Sequence, residues 1–210
     1  MFDLPPQLDA FFAVLSFVFG AMVGSFLNVC IHRWPLDQSI MKPSRSFCPK
    51  CENTIAAYDN IPLLSWLLLG GRCRHCQTPI SWRYPLVEGL TAVLFVIYYL
   101  KFGVSFAAPV YMLLAAGMVV VTFVDLEHWI IPNEVTFPGL PIGIACALLG
   151  QVWPASGLVT TSVVDALLGV ALGGGILYLL DKIAVYLLNK PGMGFGAVKL
   201  LAMLGAFVGW

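Results

Sequence analysis

The chain has 210 residues, 60% of them hydrophobic and only 10% charged, with a mean hydropathy of +0.89. A soluble globular protein needs roughly 25% charged residues to wet its surface. This composition therefore excludes a soluble enzyme, a disordered tail and a nucleic-acid binder resting on bulk positive charge. Eleven basic and eleven acidic residues cancel, so their distribution carries the information.

A helix needs ~20 mainly apolar residues to cross about 30 Å of hydrocarbon. Six candidate segments follow in chain order: residues 9–31, 84–100, 107–124, 137–153, 163–188 and 197–210. The second is short and the fifth long. The last stops at Trp210 and reads as an unfinished span, so the C-terminal part is expected to be incomplete. The first segment is expected to stay uncleaved: Asp3 and Asp9 precede or open it and no Lys or Arg does, the reverse of a signal peptide. The fold class is thus an all-α polytopic membrane protein, with at least six transmembrane helices and a small cytoplasmic zinc-ribbon-like loop domain.

Orientation follows from Lys and Arg, which gather on cytoplasmic loops. Arg33, Lys42, Arg45, Lys50, Arg72, Arg74 and Arg83 flank or occupy the first long connection. Placing it in the cytoplasm and alternating sides also brings Lys182, Lys190 and Lys199 to or near that face, leaving only Lys101 outside. The N-terminus is then outside, and the connections at 125–136 and 189–197 both face the cytoplasm.

Residues 34–84 are the only long polar stretch, and they hold Cys48-Pro-Lys-Cys51 and Cys73-Arg-His-Cys76. Paired Cys-x-x-Cys knuckles at about this spacing suit four thiolates around one structural zinc ion, with neighbouring Arg and Lys favouring the thiolate. Two disulfides are the rival, disfavoured in a reducing compartment, and a redox role would explain only one pair. His75 reads as a bystander. Cys30 and Cys146 lie in apolar spans and behave as small hydrophobes.

Acids at span ends are costly unless used. Asp125 closes the third span, at the negative end of its helix dipole and in a partly buried setting, ahead of Glu127, His128, Trp129 and Ile131-Pro132-Asn133. Its plain alternative is an interfacial acid beside a loop, with Trp129 as membrane anchor; Glu127 and His128 read as solvated. The sixth span opens with Gly192-Met-Gly194-Phe-Gly196-Ala197-Val-Lys199-Leu200. Those glycines permit tight turning, or simply close helix packing of the small-xxx-small kind, as do Gly20/Gly24 and Gly169/Gly173.

Taken together, these blocks resemble the bacterial prepilin leader peptidase/N-methyltransferase family, polytopic aspartic proteases of type IV pilus and type II secretion systems. The resemblance rests on Gly24-Ser-Phe-Leu-Asn-Val-Cys-Ile-His-Arg33 with Pro35, and on the four cysteines with Asp59-Asn-Ile-Pro-Leu-Leu-Ser-Trp66 between them. Ile80-Ser-Trp-Arg-Tyr-Pro-Leu-Val-Glu88, Asp125 with Ile131-Pro-Asn133, and the glycine-rich segment complete it. It implies an N-terminal helix over 1–33, a tetracysteine loop over 34–84 associated with methyl transfer, and an intramembrane aspartic peptidase core over 85–210. It further implies cleavage of prepilins or pseudopilins at the cytoplasmic face of the bacterial inner membrane, then methylation of the new N-terminus with S-adenosylmethionine. Glu88 is a speculative participant in that second step.

The family motif reads Gly-x-Gly-Asp-x-Lys, with a second catalytic carboxylate after the last glycine. Here Ala197 takes that place while Lys199 and Leu200 remain, the pattern of an inactivating substitution. The resemblance therefore implies a chain that binds substrate without cutting it. Two other classes stay open: a non-catalytic zinc-bearing membrane scaffold, and an ion- or proton-coupled transporter using Asp125. The partners implied are a prepilin and the bilayer, with no nucleic acid; the number of associated copies is not fixed by the sequence.

Overall fold

The computed structural model describes residues 5–42, 45–159, 162–188 and 194–210. Among the described residues seven α-helices follow in order: α1 (Pro6–Arg33), α2 (Leu64–Leu68), α3 (Arg83–Phe102), α4 (Ala107–His128), α5 (Asn133–Val152), α6 (Val163–Leu188) and α7 (Phe195–Val208). Among the described residues the only β-pairing is two isolated bridges. Five helical segments of 20 to 31 residues are long and apolar enough to cross a membrane, and the sixth candidate is the shorter α7. The all-helical reading holds because each lipid-facing backbone must satisfy its own N–H and C=O groups.

Boundaries differ most at the end of α4, which runs four residues beyond its apolar run to His128, and at the start of α5. The α5 helix begins at Asn133, ahead of Pro138 and Pro141, although the apolar run suggests a start at 137. The prolines withhold two N–H donors, yet the preceding turn forms, with Val135 and Thr136 donating to the Pro132 carbonyl, each at 3.4 Å.

The chain divides into two compact units, one comprising residues up to Val104 with Ala108–Phe123, the other Ser105–Ala107 with Val124–Trp210. In the first, α1 packs along α3. The contact is glycine-made: a Cβ at Gly20 would fall 2.8 Å from the Ala92 Cα, and one at Gly24 would fall 2.7 Å from the Glu88 Cα. In the second, α7 packs against α6 and α5. There Gly169 and Gly173 of α6 meet the α7 backbone at Gly205 and Leu201, and Gly143 of α5 meets Ala206. The small-xxx-small pairs of α1 and α6 are thus packing points, at which backbones approach too closely for any side chain.

This yields a contrast. Gly24→Ala should destabilise the protein by about 1–3 kcal/mol, since the added methyl meets helix backbone. Gly175→Ala, at an α6 position with nothing within 4 Å of the new Cβ, should be neutral or stabilising by up to about 1 kcal/mol. Thermal unfolding of both variants in detergent micelles checks this, and equal effects would refute the packing role.

Candidate functional site

The tetracysteine loop is built twice over. Cys48 N–H donates to the Asn53 carbonyl (3.0 Å), and Glu52 N–H to the Cys48 carbonyl (2.8 Å). Twenty-five positions on, by subtraction of the numbers, Cys73 N–H donates to Thr78 (2.9 Å) and Gln77 N–H to Cys73 (3.0 Å). Each knuckle is closed by one bridge, Phe47 with Thr54 and Arg72 with Pro79. Each also turns through a left-handed residue directly after its second cysteine, Glu52 and Gln77, both at φ 57°. The two hairpins thereby aim four sulfurs at one point.

All four sulfurs lie within 4.8 Å of one another, with Cys48 and Cys76 at 3.7 Å and Cys51 and Cys73 at 4.0 Å. Zinc held by thiolates at ~2.3 Å in a tetrahedron requires sulfur–sulfur edges of about 3.8 Å, so the cluster fits a zinc ion. No cysteine is disulfide-bonded here, and sulfurs 3.7 and 4.0 Å apart are far beyond the ~2.05 Å of an S–S bond, a spacing that suits a shared ion better than disulfides. The thiols are electrostatically unequal. Thr78, whose Oγ1 lies 3.2 Å from Cys76 Sγ, lowers Cys76 to about 6. The Asn53 N–H pulls Cys51 down, but burial and the thiols of Cys48, Cys76 and Cys73 outweigh it and push Cys51 up to about 11. Removing a proton from the second group is work that a cation at the centre would do.

Around the cluster, Arg74 clamps Asp59 with two hydrogen bonds, 2.8 and 2.6 Å, and its guanidinium lies over the Tyr58 ring. Arg74 holds the Asp59 carboxyl below the usual carboxylate range. Trp66 covers Gly71 and donates to the Ile80 carbonyl at 3.3 Å.

A buried polar contact ties the loop to α3. Glu88, 7% exposed on α3, accepts a 2.7 Å hydrogen bond from Leu63 N–H and meets the Ser25 hydroxyl. Leu63 sits at φ 63°, ψ −51°, with Leu64 N–H donating to the Pro62 carbonyl at 2.7 Å, a γ-turn of the rare, strained hand. Close by on α1, Asn28 is 2% exposed and donates to the Gly24 and Tyr84 carbonyls. Its Oδ1 is buried without a hydrogen-bond partner. Neither the strut nor this orphaned acceptor is legible in spacing, although both lie inside blocks that carry the resemblance.

In the second unit, Asp125 lies in the last turn of α4, where its carbonyl accepts from Trp129 N–H at 2.9 Å. The side chain is exposed, which corrects the expectation of partial burial: Asp125 to His128, the last residues of α4, are all exposed. Trp129 is exposed as well. Trp129 adopts a left-handed conformation that ends α4. Ala197 is the third residue of α7, half-buried, with its N–H on the Gly194 carbonyl at 3.1 Å. Gly192, which opens the glycine-rich motif, lies outside the described residues.

The connector after Asp125 meets the start of α7 twice. A Cβ at Gly196 would fall 3.0 Å from that of Ile131, so glycine is what permits the contact. Lys199 donates to Asn133 Oδ1, and its ammonium sits over the Phe137 and Phe195 rings at 5.0 and 5.6 Å. Sequence reasoning noted Ile131, Asn133 and Lys199 separately without pairing them.

Residues 18–102 match the Bacterial Peptidase A24 N-terminal domain, and residues 112–210 match the Type IV leader peptidase family. The chain is 44% identical to a Myxococcus xanthus protein named prepilin leader peptidase/N-methyltransferase, over 99% of this chain and 59% of the relative. It is 40% identical to an Aeromonas hydrophila protein of the same name, over the whole chain and 78% of the relative. An Escherichia coli type 4 prepilin-like proteins leader peptide-processing enzyme is 41% identical, over the whole chain and 81% of that protein. The chain thus spans about three-fifths of the Myxococcus protein's length and about four-fifths of the other two. No solved structure was found to match it.

Two outcomes follow for the loop. Cys48→Ser or Cys76→Ser should abolish stoichiometric zinc, measured by metal mass spectrometry, and a strong chelator should lower the unfolding temperature of the unaltered protein; a chelator-insensitive loop would exclude structural metal. The Asp59–Arg74 pair makes the loop's stability fall in acid. Because folding depresses the Asp59 pKa, its contribution is complete above the unfolded value of about 3.9 and is lost as pH falls through the folded one. Arg74→Ala should therefore flatten the acid limb of the loop's proteolysis profile.

Proposed function

The chain belongs to the Type IV leader peptidase family, and from that premise we propose that it is a membrane prepilin leader peptidase/N-methyltransferase whose cleavage step is disabled at position 197. The observation that carries this reading is the packing of the Ile131–Asn133 connector on Gly196 and Lys199. It draws the chain just after Asp125 and the chain around position 197 to one end of one unit. Those are the two positions at which the family motif places its carboxylates.

Hydrolysis by such a pair needs one carboxylate to take a proton from water as the oxygen attacks the scissile carbonyl carbon. The other, protonated, donates to the carbonyl oxygen. Collapse of the tetrahedral species breaks the C–N bond, and the leaving amine takes up a proton. Two close carboxyls share one proton because joint ionisation is opposed. Asp125 stands at a helix C-terminus and position 197 in the first turn of α7. The dipoles favour an anion at the second site over the first, and the pair titrates as a unit. Ala197 offers neither an oxygen nor a proton, so substrate is held and not cut.

The basic residues of the tetracysteine loop support a cytoplasmic position for it, for the Asp125 end of α4 and for the start of α7, with the N-terminus outside. The substrate is then a prepilin or pseudopilin engaged where its leader leaves the bilayer. For the second activity, S-adenosylmethionine supplies the methyl group to the new N-terminal amine. Among the described residues, the feature that fits such a ligand is Asn28 Oδ1, a buried acceptor lacking a donor, beside the Leu63–Glu88 strut. Asn28 would accept from an amine of the bound donor, and Glu88 would hold the loop in register. Ala197 itself favours one alternative, a zinc-bearing scaffold. The transporter reading has no support from an acid exposed at a helix end.

Restoring the carboxylate separates these. Ala197→Asp in the intact protein should give cleavage of a model prepilin at least about a thousandfold above the unaltered protein, the scale lost when one member of a catalytic unit is removed. Asp125→Asn in that background should remove it again. An Ala197→Asp protein that is folded and zinc-loaded yet inert would refute the two-carboxylate reading and leave the scaffold.

A further inference from the structure

The loop holds a group of apolar side chains that the peptidase reading leaves unused. On α2, Leu64, Leu67 and Leu68 follow the i, i+3, i+4 spacing of one helix face. They are 57%, 67% and 85% exposed, and Trp82, just before α3, is 68% exposed. In water, four large side chains so bare in one polar loop would be a liability.

Their level relative to α3 answers the difficulty. Leu63, the residue before α2, bonds Glu88 through its N–H, and its Cδ2 lies where a Cβ on Gly89 would meet it at 3.7 Å. Glu88 is five residues into α3 from Arg83, about 7 Å along the helix axis. Since α3 is long and apolar enough to cross a membrane, the start of α2 sits beside its first turns rather than out in the cytoplasm. We infer that residues 61–69 are seated in the cytoplasmic leaflet, with Leu64, Leu67 and Leu68 among the upper acyl chains and Trp82 at the headgroup level.

The polar groups of the segment fit that solvent. Hydrocarbon tolerates non-helical backbone only where its polar groups are satisfied internally. Ile61 N–H donates to Ser65 Oγ, which donates to the Tyr58 carbonyl. The Ser65, Leu67, Leu69, Gly70 and Gly71 N–H groups all find carbonyls within the segment. Trp66 Nε1 has the Ile80 carbonyl. The large side chains left facing outward are apolar, Ile61 with the three leucines. Charge agrees: residues 33–83 carry the seven basic residues named above against Asp37, Glu52 and Asp59, a balance drawn to an anionic leaflet. The tetracysteine loop therefore lies against the membrane.

The inference depends on α3 crossing the bilayer and not on the peptidase reading. A small fluorescent amino acid is placed at Leu68, Lys50 or Val93 of protein reconstituted in phosphatidylethanolamine–phosphatidylglycerol vesicles, with zinc content confirming a folded loop. The label at Leu68 should be quenched by doxyl lipid and protected from aqueous iodide, as at Val93 in α3, with the reverse at Lys50. Iodide quenching at Leu68 equal to that at Lys50 overturns the inference. Shielding from both quenchers also overturns it, because protein then covers the patch. Loss of lipid quenching at Val93 overturns the span and the inference together. The unaltered protein gives an independent reading: a photoactivatable phospholipid should crosslink the peptide spanning residues 59–72, and its absence there counts against lipid contact.

Discussion

Everything in this molecule answers to one constraint, that a backbone in hydrocarbon has no water to satisfy its N–H and C=O groups. Helices meet it segment by segment, but in lipid they gain no hydrophobic drive to associate. Association then rests on how closely the backbones approach. Hence the glycines: Gly20 and Gly24 on α1, Gly169 and Gly173 on α6, each at a place where a methyl group would collide with its neighbour. Packing of this kind leaves almost no slack, so the helix pairs form rigid frames on which polar groups can be held.

The loop between α1 and α3 faces the opposite problem. It has water on one side but too few buried apolar side chains to form a core; Cys48 and Cys73 are themselves among its few buried residues. A segment this short holds one conformation with a metal or another crosslink, and the twinned knuckles supply four thiols for it. The loop is then tied to the frame through Leu63 and Glu88. The strained turn at Leu63 persists because the buried carboxylate takes its N–H. Strain of that sort survives only where surrounding structure over-determines it. The Leu63–Glu88 bond is thus one buried tie between the zinc loop and the helix pair.

Composition and hydropathy revealed the helices because a span is a long, one-dimensional signal, and α6 is found where its apolar run lies. The start of α5 is hidden from hydropathy because its first turn, Asn133-Glu134-Val135-Thr136, is largely polar, although that turn closes on Pro132. The four cysteines were legible because metal ligation fixes residue type and spacing together. Glu88 was noticed only through resemblance, and its bond to Leu63 was out of reach, since it joins residues 25 apart through a backbone N–H. Lys199 and Asn133, 66 apart, show the same limit. Burial of Asp125 was misjudged for a related reason: an acid at the end of an apolar run gives no sign of whether the next helix reaches far enough to cover it. The exposed leucines of α2 were read as part of a polar loop, because their significance lies in depth along α3 and not in sequence.

Position 197 shows why fold and chemistry separate so cleanly here. Alanine is the best helix former, and at the third position of α7 it keeps its N–H on Gly194 while asking nothing of its neighbours. The contacts that set the start of α7, Gly196 on Ile131 and Lys199 on Asn133, belong to the residues on either side. An acid at this place would be favoured by the helix N-terminus, worth about 0.3–1 kcal/mol near a surface, so the scaffold neither needs the carboxylate nor resists it. What the carboxylate would add is confined to chemistry: an acceptor for a water proton and a partner with which Asp125 could share one. The packing that sets the start of α7 is therefore independent of which side chain stands at 197.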